Sequence, residues 1–318
     1  MIFQDGAAER PPGALDPASP TPARAPDPVE GGACARRLDL VPQDAVEQAE
    51  PEEETRYRLH RRFDRMGRLV GDAGMERLFG AHVMVIGLGG VGSFAAESLA
   101  RSGVGRLSLV DFDRVCITNS NRQLQAMKGT IGKPKAQVLA ERLARANPAA
   151  TVEAVMEFYS EQTSELLLGR APDYVIDAID NVTAKCHLLA TCRDRAIPVV
   201  SSLGAAGRLD PTMIRIADLA KTHQDPLAAE VRRILRQRYD FPATGAFGIT
   251  AVYSAEPAQA PIELHYDEGQ GFRCVCPGGK NTFHSCEERR VIYGTASFVT
   301  GSFGLFCASA AVRGLLEA

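Results

Sequence analysis

Short apolar runs alternate with amphipathic stretches through the middle of this chain. Val83-Met84-Val85-Ile86 is apolar at every position, too short for a helix and bounded by glycine, which predicts a buried strand. It enters Gly87-Leu88-Gly89-Gly90-Val91-Gly92, and the residues after Ser93 carry a helical stripe. Leu107 to Val110 is a second strand, ending on Asp111 and Asp113. Ala136, Leu139, Ala140 and Leu143 predict a helix that begins near Pro134 and stops at Asn147-Pro148. A strand over 152–155, a helix over 161–168, a buried strand from Tyr174 to Asp180, a helix to Arg195 and a strand over 198–202 follow. This alternation predicts an α/β fold, a doubly wound and mostly parallel sheet. Beyond residue 210 the pattern loosens into an α+β extension, with a strand at 214–216, a helix over 227–239 and short strands with glycine turns over 247–275. Upstream, Tyr57 to Arg68 sets Leu59, Phe63 and Met66 at helical spacing, and 74–80 reads as a short helix.

Charge divides the chain unevenly. Residues 1–55 hold twelve acids, four bases and nine prolines, a balance of −8, so a net charge of −3 leaves +5 for the remainder. Such a segment cannot bury enough apolar surface to order itself, and it reads as a disordered acidic Pro/Ala-rich leader. Residues 56–318 then read as one folded domain, with a regular core over 56–210 and a less regular C-terminal portion over 211–318. The leader lacks the basic and apolar regions of a secretory signal. With that, eight scattered cysteines predict reduced thiols and a cytoplasmic protein. The uncharged stretch from Val291 to Val312 has the length of a membrane span, but its serines, threonine and glycines dilute it, so a buried helix is the expectation. Cys116, Cys186 and Cys192 fall in packed elements. Cys274-x-Cys276 with His284-x-Cys286 lacks the spacing of a zinc ribbon and reads as structural or free thiols.

The candidate chemistry gathers at the carboxyl ends of the strands. A glycine turn leading into a helix lets backbone N–H groups close on phosphate, and an acid at the end of the next strand suits a ribose. That much also fits a nicotinamide dinucleotide site. The crossover after Asp113 discriminates. It holds Thr118-Asn119-Ser120-Asn121-Arg122-Gln123 and then Gly132-Lys133-Pro134-Lys135-Ala136, which places an arginine and a lysine to reach a triphosphate over the glycine turn. Asp180 adds a carboxylate for Mg²⁺. Hydride transfer has little use for such a clamp, whereas nucleotidyl transfer must stabilise charge building on phosphate. Arg232, Arg233, Arg236 and Arg238 lie on one helix, as either a solvated face or a stripe for RNA phosphates.

Taken together, Gly87-x-Gly89-Gly90-Val91-Gly92-Ser93, Asp111-x-Asp113, Asn119-x-x-Arg122-Gln123, Lys135 and Asp180-Asn181 resemble the ubiquitin-activating-enzyme-like adenylyltransferases, whose Rossmann-like ThiF fold is therefore expected. The stretch from Asp218 to Ala228, with Gly204 to Thr212, is similar to the narrower tRNA threonylcarbamoyladenosine dehydratase family; the paired Cys-x-x-Cys motifs of the sulfur-carrier activators are absent. The resemblance implies ATP and Mg²⁺ as cofactors, tRNA as partner, and dehydration of threonylcarbamoyladenosine beside the anticodon through an acyl-adenylate. The alternative it implies is adenylation of the C-terminal glycine of a ubiquitin-like sulfur carrier. It places Gly87, Gly89, Gly90 and Gly92 on the nucleotide phosphates and Asp111 on the ribose, with Asp113 in support. Asn119, Arg122, Gln123 and Lys135 come beside the phosphates, Asn181 joins the nucleotide-binding set, and Asp180 comes on the metal. Arg122, Lys135 and Asp180 are the implied catalytic set. Arg65 would reach the nucleotide of the partner subunit in a homodimer, and Lys221, Thr222, Asp225, Arg232 and Arg233 would place the substrate. Some relatives carry a cysteine where this chain has Ala251, so sulfur-transfer partner proteins, if engaged, would not use a thiol there.

Overall fold

The computed structural model describes residues 61–264 and 293–317. The leader, and the Cys274, Cys276, His284 and Cys286 group, lie outside the described residues. Helix α1 (Asp64–Gly80) leads into β1 (His82–Ile86), α2 (Gly92–Arg101), β2 (Arg106–Val110), α3 (Lys135–Ala146), β3 (Thr151–Val155), α4 (Glu161–Leu168), β4 (Tyr174–Asp177), α5 (Val182–Asp194) and β5 (Val199–Ser202). β6 (Ile214–Asp218), α6 (Pro226–Arg238), β7 (Thr250–Ser254) and α7 (Ser297–Glu317) complete the described elements.

The strands form one seven-stranded sheet in the order β3-β2-β1-β4-β5-β7-β6. Every neighbouring pair is parallel except β6–β7. Strand order reverses beside β1, and in open α/β sheets that switch point is where ligands sit. The period-two alternation divides the core: Val83 and Val85 pack with α1, α2, α3 and α7 on one face, while Met84 and Ile86 pack with α4, α5 and α6 on the other. Local chemistry sets the helix starts. Ser160 and Thr163 make a reciprocal cap on α4, Asn181 accepts from Ala184 N at 3.0 Å on α5, and Asp225 caps α6 ahead of Pro226.

The two upstream helices are both present within α1, parted at Gly71, whose φ of 71° and ψ of 174° leave the helical region. Two other sequence expectations need correction. β4 ends at Asp177, not Asp180, because Asp177 turns inward and its carboxylate holds the N–H of Ile179 at 3.1 Å. The portion after residue 210 is less separate than its pattern suggests, since β7 pairs in parallel with β5 and extends the same sheet.

The uncharged stretch is α7, the one described helix long and apolar enough to cross a membrane. It is built into the core: Val299, Phe303, Cys307, Ala311 and Leu315 are buried against α2 and the sheet. Its glycines have a packing purpose. A Cβ on Gly304 would meet the N–H of Ala95 at 2.9 Å, and one on Gly301 would meet the Phe94 ring at 3.1 Å, so α7 crosses α2 at close range.

Candidate nucleotide-binding site

The turn between β1 and α2 is fastened from three sides. Gly87 takes φ of 90° and donates to Val110 O at 2.9 Å. A Cβ there would meet Ala178 O at 2.6 Å, so only glycine fits. Leu88 N donates to Asp111 Oδ2 at 2.7 Å, and Leu88 O accepts from Gln125 Nε2 at 2.6 Å. Fixed this way, the turn presents the first N–H groups of α2 at the carboxyl edge of the sheet, an arrangement suited to an anion.

Asp111 is buried, and its other oxygen accepts from Asp113 N at 2.8 Å. Burial pushes its carboxyl above the ordinary range, more than the charge of Lys135 pulls it back. Asp111 therefore braces the glycine turn, and Asp113 is the more exposed acid of the pair. Lys135 Nζ lies 2.9 Å from Asp113 Oδ2, with only 8 % of its side chain exposed. Burial alone would lower the ammonium, but Asp111, Asp113 and Asp180 together hold it above its usual value. Its acidic neighbours thus favour the charged ammonium at the edge of the site. Asp180 is exposed and within electrostatic reach of Lys135. The N-cap of α5 is Asn181, not Asp180.

On the opposite side the crossover forms a tight turn, Ile117–Asn119, in which Asn119 Oδ1 accepts from Cys116 N at 3.1 Å. Gln123 is buried with its amide facing Gly89, and Gln125 Nε2 lies 3.3 Å from its Oε1. The Arg122 stem crosses Gly90: a Cβ on Gly90 would lie 3.2 Å from Arg122 Cγ and 2.9 Å from Thr300 Oγ1. Gly87, Gly89, Gly90, Gly92, Asp111, Asp113, Asn119, Arg122, Gln123, Lys135 and Asp180 are accordingly all placed around one edge.

The remaining candidates stand elsewhere. Arg65 is exposed on α1, and among the described residues no hydrogen bond or ion pair links it to the glycine turn. Thr222 and Asp225 face inward, contrary to a substrate-facing role in this chain. Thr222 Oγ1 donates to Leu219 O at 2.8 Å and accepts from Arg232, while Asp225 accepts from Gly204 N at 3.0 Å and pairs with buried Arg208 at 3.7 Å. Arg233 is paired with Glu230 at 2.6 Å, and Arg236 lies over the Phe247 ring. Of that group only Lys221 is exposed and, among the described residues, without a side-chain hydrogen bond or ion pair. The arginine stripe of α6 is therefore partly spent within the fold.

Sequence reasoning missed a buried network beneath the site. Lys185 Nζ contacts Asp177 Oδ2 at 2.6 Å, Ser202 O at 3.0 Å and Ser201 Oγ at 3.4 Å, and Ser201 Oγ donates to Asp177 Oδ2 at 2.6 Å. Lys185, Asp177 and Ser201 are fully buried. The available signal was an acid at a buried strand end followed eight residues later by a lysine among apolar helix positions.

The ThiF family matches residues 63–318. The chain is 44 % identical to the tRNA threonylcarbamoyladenosine dehydratase of Haemophilus influenzae over 258 residues, 80 % of this chain and 94 % of that protein. This chain belongs to the ThiF family, in its tRNA threonylcarbamoyladenosine dehydratase branch. The enzyme of that name from Escherichia coli is 39 % identical over 261 residues, 80 % of this chain and 93 % of its own length. The crystal structure of the E. coli dehydratase in complex with ATP covers 81 % of this chain and 95 % of that one, with a TM-score of 0.69 and 36 % identity. Within the ThiF family, the glycine turn and crossover described above are the parts of this chain suited to a nucleotide.

Proposed function

We propose that this protein uses ATP to dehydrate the threonylcarbamoyl group of a tRNA adenosine, closing it into a ring. The carrying observation is the convergence of the fastened glycine turn, the Arg122 stem over Gly90 and the buried Lys135 paired with Asp113. Similarity over nearly the full length of the dehydratases supports the substrate assignment.

The threonyl carboxylate oxygen attacks the α-phosphorus of ATP, the bond to the bridging oxygen breaks, and pyrophosphate leaves. The ureido nitrogen of the same substituent then attacks the activated carbonyl carbon, loses its proton, and AMP departs with the former carboxylate oxygen. The sum is loss of one water. Arg122 and Lys135 stabilise charge that builds on the phosphates as the first bond breaks. The second step gains from having its nucleophile on the same molecule.

Among the described residues no three His, Cys, Asp or Glu side chains cluster as a self-sufficient metal site. An exposed carboxylate beside a phosphate site instead suits Mg²⁺, which takes one or two carboxylates and fills its shell with phosphate and water. Asp180 would hold it, and the ion would neutralise charge on the leaving pyrophosphate. A homodimer in which Arg65 reaches the partner's nucleotide accords with the exposed position of that side chain, and the cytoplasm is the compartment in which such a reaction belongs.

Exchange of labelled pyrophosphate into ATP tests the reading. It should require threonylcarbamoylated tRNA, and Arg122→Ala and Lys135→Ala should each lower it about a hundredfold. Exchange supported by a ubiquitin-like sulfur carrier and not by tRNA would overturn the substrate assignment. Unchanged exchange in both variants would overturn the site.

A further inference from the structure

Asn121 lies within the crossover motif, yet it has no part in the mechanism above. Its side chain bridges two distant pieces of the protein. Oδ1 accepts from Arg122 Nη1 at 2.9 Å, and Nδ2 donates to Thr295 O at 2.9 Å, 174 residues along the chain. The second bond orients the first. A carbonyl oxygen can only accept, so the Asn121 NH₂ must face Thr295, and Oδ1 is left facing the guanidinium.

Arg122 Nη1 also donates to Thr118 O at 3.0 Å. Two acceptors on one nitrogen of a planar fork fix the plane of the whole group. The Thr295 end of the bridge is itself anchored. Gly207 N donates to Gly294 O at 2.8 Å, Gln259 N donates to Gly207 O at 2.7 Å, and α7 begins two residues beyond Thr295, with Thr300 against Gly90. The first turn of α7 therefore touches the glycine turn through Thr300, and the segment entering α7 reaches the arginine through one amide.

We infer that Asn121 is a positioning residue for Arg122, holding the guanidinium in the plane from which it meets the nucleotide phosphates, with Thr295 as its anchor. This rests on the reading that Arg122 acts on those phosphates. Asn121 is exposed and contributes no core packing, so its replacement should leave the fold intact.

A double-mutant cycle on the full chain, read as kcat/KM for ATP in pyrophosphate exchange with threonylcarbamoylated tRNA, separates positioning from a general structural role. Asn121→Ala should lower kcat/KM about tenfold, with a melting temperature within about 2 °C of the parent. In an Arg122→Ala background the same change should have no further effect, because the group it positions is gone. Asn121→Asp keeps an acceptor for Arg122 but sets a carboxylate against the Thr295 carbonyl, and it should recover less than half of the lost activity. A tenfold loss that persists in the Arg122→Ala background, or no loss in the parent background while Arg122→Ala is severely impaired, would overturn the inference and leave the proposed function standing. If Arg122→Ala is fully active, the nucleotide reading fails and the inference with it.

Discussion

Replacing Lys185 with methionine should cost this protein about 3–5 kcal/mol, the range for removing one partner of a buried ion pair. The lysine is fully buried, and its three ammonium hydrogens match three acceptors: Asp177 Oδ2, Ser202 O and Ser201 Oγ. Methionine fills similar volume, so the loss is electrostatic and not a cavity. Asp177 would keep the Ser201 hydroxyl and the Ile179 N–H, which argues for the lower half of the range. At about 2–4 °C per kcal/mol for a body of this size, the melting temperature should fall by roughly 6–16 °C. Denaturant unfolding followed by far-ultraviolet circular dichroism would measure the change directly. The double variant Lys185→Met, Asp177→Asn should recover at least about 1 kcal/mol, because an amide left in place of the carboxylate carries no unpaired charge. A cost below about 1 kcal/mol for Lys185→Met, or a double variant less stable than the single one, would refute this account of the network. The consequence reaches the site. Asp177 Oδ1 holds the N–H of Ile179, and the turn through Ala178, which donates to Ile86 O, runs close against Gly87 and leads to Asp180.

Other perturbations address separate links. Gly92→Ala would drive a methyl into the carbonyl oxygen of Gly87, so the turn must open; ATP binding by calorimetry should be lost while far-ultraviolet circular dichroism stays within the normal range. Glu97 is mostly buried, which opposes its charge, yet Arg142 at 2.7 Å and Arg101 hold its carboxyl below the ordinary value of 4.5. A lowered folded pKa stabilises above the unfolded value and is lost as pH falls through the folded one. Glu97→Gln should therefore cost about 1 kcal/mol at pH 7, and the gap from the parent should close as pH drops below 4.5. Burial pushes the Cys186 thiol up to about 11 and Cys192 to about 12, and raises Cys307 as well. All three should resist iodoacetamide at pH 8 in the native protein and react only in denaturant, as read by peptide mass mapping. Rapid native labelling of Cys186 would contradict its placement in the core.

The sequence by itself determined what depends on near neighbours. Apolar runs of four or five residues between glycines and prolines can be satisfied only as buried strands, and the helical stripes between them force crossovers, so the parallel sheet was legible. That the glycine turn, Asp111, Arg122 and Lys135 come to one sheet edge was legible for the same reason, from their spacing within one βαβ unit and its crossover, whereas Asn119 was singled out only by the family resemblance. Only the tertiary structure could decide which polar groups satisfy one another across the chain. Nothing local says that Lys185 pairs with Asp177, that Thr300 closes over Gly90, or that Asn121 reaches Thr295. Thr222 and Asp225 were candidates for substrate only through the family resemblance, and packing turned them inward to Leu219, Gly204 and Arg208. A polar side chain's partner is set by what the fold brings within three ångströms once water is excluded, and a one-dimensional pattern does not contain that distance.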